Sequence, residues 1–406
     1  MTPEFHAACS PSLSYDNKQI VFSGRKTPDN PWQIWMMNRD GSGKKKVTDI
    51  AENALTPAFL PNGKIVFSRE TPAPGSGMGY SLFTVRVDGT DLNRITFHPH
   101  QDLYASVLHD GRIAMISRQM YPEKKDPAFM VLRPDGTKAQ TFYHNKAEEQ
   151  VKSIIRVTPD RRLVFVKRDE TRDRVVSMSY ADPGKPVDQI AYFPENGIQS
   201  VDLLNDDRLV VSSRESQDGI FSLRSLNFEG KTDQIYMDPQ YHSIEPVAVR
   251  HKEVPPKLPS SVTSEKGTGI VFSQNVERSQ VQLPGNPETA YVRVIGIERT
   301  LQEAAVKEDG SFYLKVESDM PIRLLSLDDN KEVLRGPSAW IWLRNGERRG
   351  CIGCHASKSV TPDNIAPNAI KHPPVMVTDT SRVIDSAYVQ SVRKVLNENG
   401  GSYFEN

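Results

Sequence analysis

The sequence predicts an all-β fold: a six-bladed β-propeller with a small β insertion at blade six and a C-terminal loop plus helix. Three observations carry this expectation. A polar turn followed by a short β-branched strand recurs six times, with strand starts at Ile20, Ile65, Ile113, Leu163, Leu209 and Ile270. Successive starts lie 45, 48, 50, 46 and 61 residues apart. A second element, strand, D-G or E-G turn, strand, follows most of them and reads as a hairpin. A period of about 40–50 residues with four strands per unit is the signature of propeller blades.

The elements follow in chain order. "SYDNKQIVFSGRK" (14–26) recurs as "LPNGKIVFSRE" (60–70), "LHDGRIAMISRQ" (108–119), "TPDRRLVFVKRD" (158–169) and "LNDDRLVVSSRE" (204–215). The hairpins are "WQIWMMNRDGSGKKKVT" (32–48), "YSLFTVRVDGTDLNRIT" (80–96), "AFMVLRPDGTKAQTF" (128–142) and "IFSLRSLNFEGKTDQIY" (220–236). The combined pattern resembles the TolB-type propeller repeat. Residues 1–262 read as blades one to five. The Pro-rich "VRHKEVPPKLPSS" (249–261) marks a seam. Residues 263–350 read as blade six with a β insertion, from the degenerate "SEKGTGIVFSQN" through "YVRVIGIERT" and "VKEDGSFYLKVESDMPIRLLSLDDNKEVL" to a strand at "AWIWLRNGERRG". Residues 351–406 read as a loop, Pro-broken at "NIAPNAIKHPPV", then an amphipathic helix. Val383, Ile384, Ala387, Tyr388, Val392, Val395 and Leu396 recur there at helical spacing, with Gly400 as the stop.

Composition narrows the function classes. The chain has 406 residues, with 51 basic against 51 acidic. That balance removes the basic excess of a nucleic-acid binder. Hydrophobic residues make up 37%, enough for a sizeable core. No apolar run reaches the roughly 18 residues of a membrane span. The start, "MTPEFHAACSPSLSYDNK", shows no signal peptide. Three cysteines exclude a disulfide scaffold and favour a metal or cofactor clip.

Two of those cysteines sit in "RRGCIGCHASKSV" (348–360), where Cys351, Cys354 and His355 spell C-x-x-C-H. Thiols at i and i+3 can add to the two vinyl groups of haem, with the adjacent histidine on the axial side of the iron. The same groups suit a zinc half-site, and the pentapeptide can also occur by chance. Cys9 enters because a propeller closes by pairing strands from its two ends, which predicts that Cys9 faces the C-x-x-C-H loop. With haem bound, Cys9 and His355 would share a zinc. Without haem, Cys9, Cys351, Cys354 and His355 make a Cys₃His set, which suits a closed tetrahedral site. The plain alternative for Cys9 is a small buried apolar group.

A family resemblance follows from "YHSIEPVAVRHKEVPPKLPS" (241–260), "VRVIG", "EDGSFYLKVESDMPIRLLSLD" and "WIWLRNGERRGCIGCH". These segments resemble the propeller domain of the hydrazine synthase alpha subunit family. The resemblance covers nearly the whole chain and is most specific from about residue 240 to 375. It implies a six-bladed propeller with haem attached at Cys351 and Cys354. It also implies zinc on His355 with an early cysteine, a position that Cys9 matches. The family's iron-holding tyrosine, four residues past the motif histidine, is Ser359 here. A second C-x-x-C-H is absent from the sequence. If His355 is on zinc, His372 and Met376 are the remaining axial candidates for iron; each is otherwise an ordinary loop residue.

One further constellation is periodic. Arg25, Arg118, Arg168 and Arg214 each fall five residues after their strand starts, and Arg69 falls four after. A ring of guanidiniums at one radius would receive an anion or haem propionates; ion pairs within each blade are the alternative. The sequence thus supports a c-type haem protein in redox chemistry or electron transfer, with a redox partner protein and, as an enzyme, a haem-dependent oxidoreductase. The alternative is a haem-free scaffold with a structural Cys₃His zinc, binding a protein or small ligand. Covalent haem implies a periplasmic or exported protein, and a truncated start would account for the missing signal peptide.

Overall fold

The recurring polar turns and β-branched runs fold into four-stranded meanders. The computed structural model describes all residues except 1, 74–76, 100, 119–127, 145–149, 169–171, 184–186, 195, 264–266, 280–282, 286, 298, 354–360 and 378–406. It divides into two units. The first comprises Met1–Thr96 and His100–Pro259, the second Phe97–Pro99 and Ser260–Asn406.

Among the described residues, unit one holds five sheets, each antiparallel and built in chain order. The first is β1 (Ala7–Leu13), β2 (Gln19–Arg25), β3 (Gln33–Asn38) and β4 (Lys45–Lys46). The second is β5 (Ala54–Phe59), β6 (Lys64–Ala73), β7 (Gly77–Arg86) and β8 (Asn93–Arg94). The third is β9 (Asp102–Val107), β10 (Ile113–Ser117), β11 (Ala128–Leu132) and β12 (Gln140–His144). In the fourth, the inner strand is broken into β13 (Gln150–Val151) and β14 (Arg156–Val157); β15 (Arg162–Arg168), β16 (Arg172–Ser179) and β17 (Asp188–Pro194) follow. The fifth is β18 (Ile198–Leu203), β19 (Arg208–Ser213), β20 (Ser222–Asn227) and β21 (Thr232–Tyr236). The predicted strand starts all fall within two residues of the observed ones.

The second strand of each sheet is a continuous apolar run because both of its faces are covered. Ile113 to Ser117 are all buried. One core joins sheets one and two through Val21, Phe59, Ile65 and Phe67. Another joins sheets three and four through Leu108, Phe129, Phe165 and Val176, and a third joins four and five through Val166, Val175, Ile198 and Leu209. Burying one such side chain contributes about 1.5–3 kcal/mol.

Four D-G turns, three of them closing hairpins, share one mechanism. In Asp40-Gly41-Ser42, Asp88-Gly89-Thr90, Asp135-Gly136-Thr137 and Asp309-Gly310-Ser311, the aspartate accepts both the backbone N–H and the hydroxyl of the third residue. The glycines sit at φ of 89°, 89°, 83° and 78°, a conformation open to glycine without strain.

The inner strands carry a second repeated device. β1, β5 and β9 each have a bulge at the same place, and β18 has one nearer its start. Ser10, Thr56 and Tyr104 sit in those of β1, β5 and β9, at φ of 53°, 53° and 58°. Glu245 repeats this conformation at φ 51°, and Pro246 follows it as Pro11 follows Ser10 and Pro57 follows Thr56. The Ser243 N–H donates to the Phe221 carbonyl at 2.8 Å, as the Ala54 N–H does to Trp32 at 2.8 Å. Ser243 and Glu245 thus repeat, next to Phe221 of sheet five, the bond and backbone conformation seen at Ala54 and Thr56 of β5.

Unit two packs two sheets over a shared core of Val271, Val292, Val294, Leu314, Val316 and Ile322. Its strands are β22 (Thr268–Ser273), β23 (Tyr291–Gly296), β24 (Arg299–Ala305), β25 (Phe312–Glu317), β26 (Arg323–Leu327), β27 (Val333–Arg335), β28 (Arg348–Cys351) and β29 (Val375–Val377). One sheet runs β24-β23-β26-β27, the other β28-β22-β25-β29. In the latter, β28 lies parallel to β22 and β29 parallel to β25. The run 339–350, read as one strand, instead breaks at a turn before β28, and a 3₁₀ helix, Asn368–Lys371, interrupts the Pro-broken loop. The C-terminal helix expected from 381 to 401 lies outside the described residues. Among the described residues, no helix is long and apolar enough to cross a membrane.

Candidate cofactor-attachment site

The C-x-x-C-H begins on an edge strand. β28 pairs with β22 so that Gly350 lies beside Phe272 and Cys351 beside Ser273. The ladder continues past the strand: the Gln274 N–H donates to the Cys351 carbonyl at 2.9 Å and the Asn275 N–H to Ile352 at 3.2 Å. Two glycines permit this approach. A Cβ on Gly350 would lie 2.6 Å from the Phe272 ring. One on Gly353 would lie 2.3 Å from the Arg278 carbonyl and 2.8 Å from that of Asn275. The residues around the first cysteine are thus small because the backbone of 274–278 runs against them.

The same short segment holds the chain where it returns. The Gln274 side chain donates to the Asp363 carbonyl at 2.7 Å and accepts the Asp363 N–H at 3.2 Å. Arg278 forms an ion pair with the Asp363 carboxylate. Farther on, the Asn368 N–H donates to Asp309 Oδ2 at 2.6 Å and the Ala369 N–H to Ser311 Oγ at 2.9 Å. Asp309 is the turn aspartate of the D-G-S motif, and its second oxygen is put to this further use. The Val276 N–H donates to the Gly310 carbonyl at 2.8 Å, which joins the two clamps. Finally β29 adds to β25. Residues before and after 354–360 are therefore fixed to one small platform of 274–278 and 309–311.

Cys351 is a free thiol, partly exposed. Burial pushes it above the ordinary thiol range, opposed by Arg349. Arg349 pairs with Glu347 at 3.3 Å, and that buried carboxylate also accepts the Arg344 N–H at 2.9 Å. Cys354, His355 and Ser359 lie outside the described residues.

Cys9 lies on β1 in unit one, also as a free thiol, raised by burial and then by the Glu245 carboxylate. His372 ends the 3₁₀ helix and is exposed. Met376 sits on β29, 44% exposed. Its strand and that of Cys351 are the two edges of one sheet, so about three strand spacings, or ~14 Å, separate them. Among the described residues, no group of three or more His, Cys, Asp or Glu is clustered to hold a metal.

Four of the five arginines have local engagements. Arg25 donates to the Pro28 carbonyl and stacks over Trp32 at 5.0 Å. Arg69 pairs with Glu52 at 2.7 Å and stacks over Phe83. Arg168 makes a fork on Asp173 at 2.8 and 3.2 Å. Arg214 donates to the Asn196 carbonyl and stacks over Phe221 at 4.8 Å. Arg118 is exposed. The sequence reading missed Gln274, Arg278, Asp309 and Asp363, none of which carries a motif beyond the repeated D-G-S turn. It also missed Glu245, which the recurring "E-P", "S-P" and "T-P" would have marked.

Comparison with known proteins falls on this same region. The family profile described as the hydrazine synthase alpha subunit middle domain matches residues 260–356. Over 494 aligned positions the chain is 21% identical to hydrazine synthase subunit alpha of Kuenenia stuttgartiensis, covering 87% of this chain and 60% of that one. The chain therefore spans about three fifths of that relative's length. The solved Kuenenia stuttgartiensis hydrazine synthase superposes with a TM-score of 0.78 at 19% identity, over 91% of this chain and 66% of that chain, a likeness of fold. A shorter stretch of 92 residues is 34% identical to dipeptidyl-peptidase 5 of Porphyromonas endodontalis, covering 22% of this chain and 13% of that one.

Proposed function

We propose that this chain, an all-β propeller-type relative of the hydrazine synthase alpha subunit, is a c-type haem protein acting in redox chemistry or electron transfer. One observation carries the reading: both ends of the C-x-x-C-H segment are clamped to a single platform, 274–278 and 309–311, within the region the family profile covers. A covalent cofactor needs such a fixed mount, because a mobile one would smear its distance to an electron donor.

The residues at hand fit the group. Cys351 is unbridged and partly exposed, and with Cys354 it would form the two thioether links. His355 would lie beside the iron or on zinc with Cys9. When bound, haem supplies one-electron redox chemistry. The chain's own part is mechanical: Gly350 and Gly353 let the strand lie flat, and Asp363 and Asp309 fix the return. The finer architecture of the proposal is six blades, with 243–249 as the inner element of the sixth. Covalent attachment places the protein in the periplasm or outside the cell, with a redox protein as its partner.

A pyridine haemochrome spectrum and metal analysis of protein matured with haem-attachment factors test this. A c-type band that Cys351→Ala or Cys354→Ala weakens is expected. Absence of the band with one zinc per chain replaces the haem reading with the Cys₃His scaffold.

A further inference from the structure

Unit one encloses a cavity of about 690 Å³ that the attachment site does not use. Its walls are the inner strands of all five sheets, and residues 245–256 run through it. That segment is pinned at three sheets. The Glu245 carboxylate accepts the Ser10 N–H at 2.6 Å in sheet one, and the Ala248 N–H donates to Asp202 at 3.1 Å in sheet five. Asn17 donates to the Arg250 carbonyl at 2.9 Å. At the turn of sheet three, Gly111 lies so close to the Pro256 carbonyl that a Cβ would sit 2.2 Å from it.

Charge on the lining is unevenly spread. Arg156, Arg250 and Lys252 are all partly buried and gather near one buried carboxylate, Asp202. Asp202 is already committed to Arg156 at 3.0 Å and to the Ala248 N–H. The lining's other acids do not offset the surplus: Asp206 and Glu253 are exposed, and Glu245 is held by Ser10. Burial pushes the Lys252 ammonium below the ordinary lysine range, opposed by Asp202, while Arg156 and Arg250 push it further down. Two lining nitrogens, Arg250 Nε and His109 Nδ1, are buried without a hydrogen-bond partner. Tyr15, Phe59, Val107 and Leu203 supply apolar wall between them.

We propose that this cavity binds a small organic anion, an apolar body carrying a phosphate or carboxylate, with the anionic group held by Arg156, Arg250 and Lys252. The volume lies within the usual range for small-molecule sites. An anion would relieve the repulsion of three cations around one carboxylate.

Calorimetric titration of the full chain with phenyl phosphate, benzoate and phenol tests the proposal. One-to-one binding of phenyl phosphate or benzoate is expected, with phenol at least tenfold weaker; the stronger of the two anions identifies the headgroup. Lys252→Met should weaken binding at least tenfold, and Lys257→Met, an exposed lysine outside the lining, should leave it unchanged. Neither anion binding at millimolar concentration, or Lys252→Met binding as the parent does, overturns the proposal. If Lys252→Met loses its near-ultraviolet dichroism, acetylation of the parent decides. Phenyl phosphate shielding Lys252 from an acetylating ester supports the site, and equal labelling with and without it overturns it.

Discussion

Asp173→Ala should unfold unit one more easily than any surface substitution. Asp173 is fully buried on β16. It accepts Arg168 at 2.8 and 3.2 Å, the Lys152 ammonium at 3.0 and 3.2 Å, and the Ile198 N–H at 3.3 Å. Those cations keep only 20% and 22% of their side-chain surface exposed. The magnitude is set by what is left behind, not by the attraction lost. Removing one member of a buried ion cluster costs about 3–5 kcal/mol, since the remaining charges are stranded. At roughly 2–4 °C per kcal/mol for a unit of this size, the midpoint falls by about 6–20 °C. Scanning calorimetry of parent and variant measures this. A companion variant sharpens the test: Asp173→Leu combined with Arg168→Met and Lys152→Met strands no charge and should recover part of the loss. A shift below about 2 °C for Asp173→Ala, or a triple variant less stable than the single one, refutes the reasoning. Inorganic phosphate should raise the midpoint of Asp173→Ala more than that of the parent, because the variant frees the Arg168 guanidinium.

Three further outcomes are expected. Gly353→Ala drives a Cβ into the Arg278 carbonyl and should cost about 1–3 kcal/mol, with reduced haem attachment in the pyridine haemochrome assay. Asp309→Ala removes the acceptor of Asn368 and Ser311 and should speed proteolytic cutting within residues 361–377 without unfolding unit one. Burial alone would raise the Asp309 carboxyl, but the Ser311 hydroxyl and the Asn368 and Ser311 N–H groups outweigh it and hold it below the usual range. Its contribution is therefore present above the ordinary aspartate pKa and lost as pH falls through the lower folded value; acid-induced cutting of the parent should follow that window. Cys351, raised by burial against the opposing Arg349, should react with iodoacetamide more slowly than the unfolded chain at mildly alkaline pH. Its contribution to stability is present below the ordinary thiol pKa and lost as pH rises beyond it.

The repeat in unit one was legible because its signals are local. Ile20, Ile65, Ile113, Leu163 and Leu209 each follow a polar turn, and the D-G-[S/T] turns are complete within three residues. The platform under the C-x-x-C-H was not, because it depends on pairings such as Gln274 with Asp363, 89 positions apart. No periodicity reports a parallel strand addition, so β28 and β29 were unreadable as sheet edges. The arginine positions were periodic, yet periodicity reports only where Cα atoms fall. Acceptors such as Asp173 and Glu52, and rings such as Trp32 and Phe221, decide where the guanidiniums go. Glu245 lay in plain view in "SIEP", but its stretch, 241–260, carried only a family resemblance and gave the residue no role.

The bond between Ser10 and Glu245 joins positions 235 apart. Closing so long a loop costs entropy before any contact returns it, and contacts this remote in sequence slow folding. On the ribosome, β1 is made first, but the carboxylate that seals it arrives after the other four sheets. At about 5–20 residues per second, the inner edge of β1 waits on the order of ten to fifty seconds for that contact. Through that interval an unsealed strand edge is available to pair wrongly. Synthesis order, more than final stability, thus sets when this protein is most exposed to aggregation.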